Sequence, residues 1–296
     1  MFDLRYHVAS LAAVFLALII GIVVGVGISG KGFVQNSERR LLNEQIADLR
    51  NRLDSATKRG TDLTRSQRAA QAFVQDAYPA LMSGRLAGNR LALVFVGSVD
   101  GRVRSLVEQT LDDAGAAPPL RVRALKLPID VVALHRALAK HPVLAALATP
   151  RKIDELGRRL GADLVAGGKS PLWQALSPSL VEERSGNDAP PVGGVVVNRS
   201  AKPQSGPTAR FLAGFYAGLA SQGVPAVGVE VTRPGTSAVD AFGKHDLATV
   251  DDLDSQAGRL ALALLLAGAT PGQYGVKKSA HDGVLPQIPP AVTTGG

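Results

Sequence analysis

The first long apolar run, residues 8–28, constrains this chain more than any other part of its sequence. The run contains 21 residues and carries no charge. A helix rises about 1.5 Å per residue, so a helix of this length crosses a hydrocarbon core of roughly 30 Å. We therefore predict a single membrane-spanning helix, which anchors the chain to lipid within residues 1–30.

A cleaved secretory signal is the alternative interpretation of this run. The apolar region of a signal peptide has about 7–15 residues and ends at a small-residue cleavage site of the A-x-A type. The present run is longer, and Gly27-Ile28-Ser29 at its end matches that site poorly. The sequence therefore favours a retained anchor.

Small residues recur at every fourth position of the run, including Ala13, Ala17, Gly21 and Gly25. Gly21 and Gly25 form a GxxxG step, which lets two spanning helices approach closely. We predict that these positions form a helix-packing face. The alternative is that alanine and glycine are simply common in spanning helices.

Charges on either side of the run do not fix its orientation. Arg5 lies on the short N-terminal side, whereas Lys31, Arg39 and Arg40 follow the run. The positive-inside rule would place the large C-terminal part in the cytoplasm, but long domains are translocated largely regardless of charge. The charge pattern leaves the topology open, with a slight preference for the outside.

A heptad pattern follows the anchor, and we predict a coiled-coil neck over residues 31–80. Leu42, Ile46, Leu49 and Leu53 are spaced by four, three and four residues, with charged residues between them. This spacing favours a parallel homodimer; a single amphipathic helix folded back onto the next domain is the alternative. Pro79 is expected to end this helix because proline lacks an amide hydrogen.

Residues 89–276 alternate short apolar strands with amphipathic helices. We predict strands near residues 91–96, 122–127, 192–198 and 226–231, and helices between and after them. This alternation is typical of an α/β fold with parallel strand pairing, and we predict a Rossmann-like domain. Residues 277–296 are predicted to form a disordered tail, because apolar periodicity is lost by residue 285.

No motif in the chain predicts an enzyme or a bound cofactor. The turn with Gly97 and Gly101 is not G-x-G-x-x-G, and Gly168-Lys169-Ser170 lacks the first glycine of a P-loop, so both are expected to be turns or caps. The five histidines are scattered, and there is no G-x-S-x-G or H-E-x-x-H motif. We therefore assign no catalytic or cofactor-binding residue.

Metal ligands are equally hard to find in the sequence. The chain has no cysteine, which excludes disulfides and thiolate sites. The cluster Asp251, Asp252 and Asp254 is the nearest approach to a metal site, but an EF-hand loop would need glycine where Ala257 stands. Because Asp254 or Ser255 precedes an apolar helix, an N-cap is the favoured interpretation, and the metal site stays unknown.

A net charge of +8 and a pI near 10 indicate an anionic partner. No basic patch interleaved with aromatic residues is present, so nucleic acid is not expected. Anionic lipid headgroups or acidic wall polymers suit an anchored protein better. A solvated basic surface with no specific partner is the alternative.

Several segments resemble the actinobacterial MctB/SteB family of copper-transport and cell-separation envelope proteins. The resemblance rests on MFDLRYHVASLAAVFLALIIGIVVG, the heptad neck, LALVFVG, TVDDLDSQAGRLALALLL and QYGVKKSAHDGVLP. It implies a protein of the cell membrane with its C-terminal domain outside the cytoplasm, and it supplies no catalytic residues.

Two functions follow from this resemblance. The first is copper ion transport or efflux across the envelope, although Cu(I) prefers sulfur ligands and the chain has only Met1 and Met82. The second is a non-catalytic scaffold that binds an envelope protein partner in cell-wall remodelling and daughter-cell separation. An enzyme would need a site that no known motif reveals.

Overall fold

The computed structural model describes residues 4–28 and 31–288, which divide into two compact units at residue 70. The first unit contains helix α1 (Leu4–Ile28) and most of helix α2 (Lys31–Met82). Within the described residues, Tyr6–Gly27 is the one segment long and apolar enough to cross a membrane. Its side chains are exposed, as lipid-facing side chains would be in an isolated chain.

Helix α2 continues through Pro79 to Met82, so the prediction that Pro79 ends the helix is wrong by one turn. Proline removes one amide donor, but burial of neighbouring side chains compensates for the lost hydrogen bond. Tyr78 and Met82 are buried in the core of the second unit, and the Ser83 amide donates to the Pro79 carbonyl at 3.0 Å. Tertiary packing therefore extends the helix beyond the proline.

A seven-stranded sheet forms the centre of the second unit, in the order β3-β2-β1-β4-β5-β6-β7. All neighbouring strands are parallel except β2 and β3. The strands are β1 (Arg90–Val96), β2 (Ala117–Leu125), β3 (Val181–Ser185), β4 (Gly194–Arg199), β5 (Ala226–Val229), β6 (Ala248–Val250) and β7 (Gln273–Tyr274). The predicted α/β class with a mainly parallel sheet is confirmed.

Helices cover both faces of the sheet, and each face has its own apolar core. The helices are α3 (Gly101–Asp113), α4 (Val131–Ala139), α5 (Ile153–Ala166), α6 (Pro171–Leu180), α7 (Gly206–Ala220), α8 (Val239–Gly243) and α9 (Gln256–Leu266). Buried side chains of α3, α9 and the end of α2 pack on one face, and those of α4 to α8 pack on the other. This burial on both faces explains why β1 is apolar after Arg90 and why the first four residues of β4 are apolar.

Sequence patterns missed the shortest and most polar elements. Strand β3 has the sequence VEERS at an edge of the sheet, with four exposed side chains, and β6 has only three residues. Helix α6 contains Pro178, which hides its periodicity. Residues 277–288 of the predicted tail lie in turns and bends, and residues 289–296 lie outside the described residues.

Helices α5 and α7 pack backbone against backbone through four glycines. Gly157 and Gly161 of α5 face Gly214 and Gly218 of α7. A methyl group added at any of them would overlap a carbonyl oxygen of the opposite helix. Close approach of this kind depends on the small-xxx-small spacing in both helices. The contact fixes α5 and α7 against each other on one face of the sheet.

Candidate functional site at the carboxyl ends of the strands

Strands β1, β4, β5 and β6 end at the same edge of the sheet because they are parallel. The strand order reverses between β1 and β4, and open α/β sheets bind ligands in the crevice at such a point. This edge is therefore the first place to look for a site.

The segment after β4 fills this crevice. The Ser200 hydroxyl donates to the Ser98 carbonyl at 2.6 Å, and the Ala201 amide donates to the Val96 carbonyl at 3.2 Å. Gly97, at φ +109°, makes room for them, since an added Cβ would lie 2.7 Å from the Ser200 hydroxyl oxygen. A dinucleotide would have to displace this segment.

The N-terminus of α3, where a phosphate would bind in such a crevice, already has an anion. Asp100 is the N-cap of α3, and its carboxylate accepts the amide hydrogens of Arg102 and Val103 at 3.0 and 3.1 Å. This turn is a helix cap, as the sequence predicted.

Four carboxylates lie along the same edge, and protein groups hold each of them. Glu230 is 3% exposed and accepts hydrogen bonds from the Lys277 ammonium at 2.5 Å and from the Ser237 hydroxyl at 2.9 Å. Its second oxygen accepts from the Ala238 amide at 2.8 Å. Glu230 and Lys277 therefore form a largely buried ion pair between the end of β5 and the segment after β7.

Asp251 is fully buried and attaches the same segment to the end of β6. It accepts hydrogen bonds from the amides of Val276 at 2.9 Å and Lys277 at 3.2 Å. Gly275, at φ +138°, passes directly over this carboxylate and leaves no room for a side chain. The QYGVKK segment is thus held in place by buried charges.

Asp254 links three elements at the surface. Its carboxylate accepts from the Thr232 amide and hydroxyl at 2.7 Å each and pairs with Arg102 at 3.0 Å. Burial acts to raise the pKa of Asp254, but the Thr232 hydrogen bonds and Arg102 outweigh it and lower that pKa. Asp254 therefore carries its charge as part of a structural contact.

Asp252 differs from its neighbours because it is buried without full pairing. One oxygen accepts from the Ser255 hydroxyl at 2.6 Å, whereas the other is buried with no hydrogen-bond partner among the described residues. Ser255 itself caps α9 by accepting from the Gly258 amide at 2.8 Å, which confirms the predicted N-cap. Burial, with Asp251 and Asp254 nearby, raises the pKa of Asp252.

The raised pKa of Asp252 predicts a pH-dependent effect of Asp252→Asn. The folded protein holds the proton of Asp252 more tightly than the unfolded chain does. The protonated carboxyl therefore stabilises the fold at low pH, and this stabilisation is lost as pH rises through the raised pKa. We therefore expect the variant to gain stability relative to the wild type as pH rises from the ordinary pKa of an aspartate, about 4, through the raised pKa of Asp252. Urea unfolding across this range measures the difference; a difference independent of pH would contradict the prediction.

This edge does not have the geometry of a metal site. Within residues 4–28 and 31–288, no three His, Cys, Asp or Glu side chains come together as metal ligands. His141 is exposed and His135 is partly buried, and both are remote from the acidic cluster in the sequence. The arrangement fits a set of structural ion pairs and helix caps.

The predicted interaction residues all lie on exposed helix surfaces. Ala13, Ala17, Gly21 and Gly25 lie on α1, and an added Cβ at Gly21 would meet no atom within 4 Å. The heptad residues Leu42, Ile46, Leu49 and Leu53 lie on α2, where their exposed fractions are 57%, 45%, 64% and 66%. Pairing of these surfaces with a second chain stays a prediction.

A second cluster, away from this edge, was missed by sequence reasoning. Arg121 and Arg123 lie on β2 with exposed fractions of 2% and 3%, and they line a cavity next to Trp173. The predicted strand began at residue 122 and so excluded Arg121. Residues i and i+2 of a strand face the same side of a sheet. A predicted strand that included residue 121 would therefore have placed both arginines on one face.

Comparisons with known proteins extend over almost the whole chain. A family model described as "Copper transport outer membrane protein, MctB" matches residues 1–285. The chain is similar to the copper transporter MctB of Mycobacterium tuberculosis (strain H37Rv), with 25% identity over 322 residues, 97% of this chain and 100% of that protein. The copper transporter MctB of Mycobacterium bovis gives the same values. The match to the family includes α1, α2 and all seven strands.

Proposed function

The chain belongs to the MctB family of copper transport proteins, and from this premise we propose that it serves copper ion transport or efflux across the cell envelope. The observation that carries the proposal is the family match, which spans the apolar helix and the α/β domain together. We propose further that α1 anchors the chain as a single-pass helix in the cell membrane, with the α/β domain outside the cytoplasm.

Copper is the cargo in this proposal and is not held by ligands of the α/β domain. Cu(I) prefers thiolate and thioether ligands, and this chain has no cysteine. Of its two methionines, Met82 is fully buried in an apolar core, where its sulfur cannot meet an ion. The carboxylates at the strand ends are harder ligands, and protein groups bind all of their oxygens except one of Asp252. Copper passage therefore requires several chains or a partner.

Assembly of several chains is proposed to run through the two N-terminal helices. The exposed leucines and isoleucine of α2 repeat every three or four residues, as the seam of a coiled coil requires. The small residues of α1 would let two spanning helices approach in lipid. Both features support a parallel homodimer with a coiled-coil neck.

The α/β domain is proposed to be non-catalytic and Rossmann-like. Its strand order places the reversal between β1 and β4, as in a doubly wound sheet, but β3 is antiparallel. The filled crevice beside Gly97 supports a domain that binds partners rather than a dinucleotide. This observation also supports the second candidate function, a scaffold for an envelope protein partner in cell separation.

Cellular copper content tests the proposed function. Cells lacking the protein are grown in sub-lethal copper, and copper per cell is measured with and without the full chain supplied in trans. We expect deletion to raise copper per cell and the full chain to restore it. Unchanged copper in cells that fail to separate would overturn copper transport in favour of the scaffold.

A further inference from the structure

The cavity beside Trp173 has an unbalanced positive charge. It has a volume of about 250 Å³ and lies between β2, β3 and the start of α6. Its lining includes four cations, Arg121, Arg123, Lys169 and Arg184, and two carboxylates, Asp163 and Asp188. Four cations and two carboxylates leave an excess of two positive charges around this open cavity.

The two carboxylates are already engaged. Asp188 interacts with three guanidinium groups, lying 3.6 Å from Arg121 and 3.2 Å from Arg184 and in close contact with Arg123. Asp163 accepts the Ser170 hydroxyl at 2.5 Å. One carboxylate cannot balance three arginines, so the cluster keeps excess charge after its internal pairing.

Burial of Arg121 and Arg123 makes the excess positive charge energetically unfavourable. The guanidinium of Arg121 is fixed by main-chain carbonyls, including those of Asn187 and Leu164 at 3.1 and 2.5 Å. Arg123 lies beside it, and burial, with Arg184 and Arg121 nearby, lowers the pKa of Arg123 to about 10. Like charges held in a low-dielectric site repel one another, and a bound anion would relieve this repulsion.

Free donors are present at the mouth of the cavity. Lys169 is exposed and, among the described parts of the chain, has no hydrogen bond or ion pair. Arg184 is also exposed and uses one of its terminal nitrogens on Asp188. Helix α6 begins here after its cap Ser170, whose hydroxyl already accepts the Trp173 amide hydrogen, and the helix dipole adds a partial positive charge. Lys169, Arg184 and the first turn of α6 all line the same cavity.

We propose that this cavity binds a phosphate monoester group, with Lys169 and Arg184 as the contacting side chains. A phosphate monoester carries up to two negative charges, which match the two uncompensated positive charges, and guanidinium and ammonium groups are its usual protein ligands. The buried guanidinium groups of Arg121 and Arg123 add to the positive electrostatic potential in the cavity. The partly buried indole of Trp173 forms a wall for whatever the phosphate is attached to.

The only tryptophan of the chain reports on this cavity directly. The full chain in neutral detergent is titrated with inorganic phosphate while Trp173 emission is recorded, with sodium chloride at equal ionic strength as control. We expect a saturable change with phosphate alone. No saturable change, or the same change with chloride, would overturn the proposal.

Matched variants test which residues form the site. Lys169→Gln and Arg184→Gln are each expected to raise the half-saturating phosphate concentration at least tenfold, while Lys278→Gln, a change at another exposed lysine, leaves it unchanged. Retained affinity in both cavity variants would overturn the assignment. Thermal unfolding of each variant confirms that it is folded.

A second titration distinguishes a lipid headgroup from a soluble phosphorylated molecule as the source of the phosphate. Micelles doped with phosphatidic acid present the same group on a lipid. A Trp173 response to these micelles that Lys169→Gln abolishes would identify a lipid headgroup. A response to inorganic phosphate alone would identify a soluble phosphorylated molecule.

Discussion

Replacing Gly161 with alanine is expected to lower the free energy of unfolding by about 3 kcal/mol. The new methyl group would overlap the Phe215 carbonyl oxygen and lie 2.9 Å from the Leu219 amide nitrogen, both on α7. Backbone atoms cannot move away as a flexible side chain does, so α5 and α7 must separate. Their shared packing on the sheet is then lost.

Thermal unfolding of the full chain, followed by circular dichroism, measures this effect. The matched control is Gly101→Ala, at the first residue of α3, where an added Cβ meets no atom within 4 Å. The control should stay within about 0.5 kcal/mol of the wild type. Equal stability of the two variants would show that α5 and α7 are not in backbone contact.

Replacing Lys277 with methionine is expected to cost about 3 kcal/mol of folding stability. Methionine preserves most of the side-chain volume, but it leaves the Glu230 carboxylate, whose side chain is 4% exposed, without its cation. A buried charge that loses its partner is strongly destabilising. The segment after β7 would also lose its contact with the Val231 carbonyl.

A double-mutant cycle separates the ion pair from simple loss of packing. Glu230→Gln removes the buried charge, so the double variant should lose clearly less stability than the sum of the single variants. Lys278→Met, at the exposed neighbouring lysine, is the control and should change stability by less than about 0.5 kcal/mol. Additive losses around the cycle would mean that Glu230 and Lys277 do not interact energetically.

The alternation of apolar strands and helices was enough to predict the fold class, because a sheet buried on both faces leaves a plain pattern in strands such as β1 and β4. Glycine packing was not predictable in the same way. The GxxxG step at Gly21 and Gly25 predicts helix packing because it lies in a long apolar run. Glycine lowers helix propensity, so Gly157 and Gly161 give no sign in the sequence of a helix that continues through them. Contact with α7 outweighs that propensity, and it cannot be inferred from α5 alone.

The buried ion pairs are a second case in which sequence was insufficient. Asp251 and Asp252 were visible as an acidic cluster, and the cap at Ser255 followed from local spacing. The partners Glu230 and Lys277 are separated by 47 residues and meet only because β5 and the segment after β7 end at one edge. Arg121 and Asp188 are likewise brought together by β2 and the loop after β3. Long-range pairs of this kind depend on sheet topology.

The most direct test of the proposal that this chain acts as a homodimer is the copper content of cells whose protein has an altered coiled-coil neck. A deletion strain is complemented with the full chain, with a chain whose residues 42–74 are replaced by an unrelated dimeric coiled coil, or with the double variant Leu49→Asp and Leu53→Asp. We expect the full chain and the coiled-coil replacement to restore low copper, and the aspartate variant to leave it high, at equal protein abundance in the membrane. Low copper in cells carrying the aspartate variant would contradict the requirement for pairing.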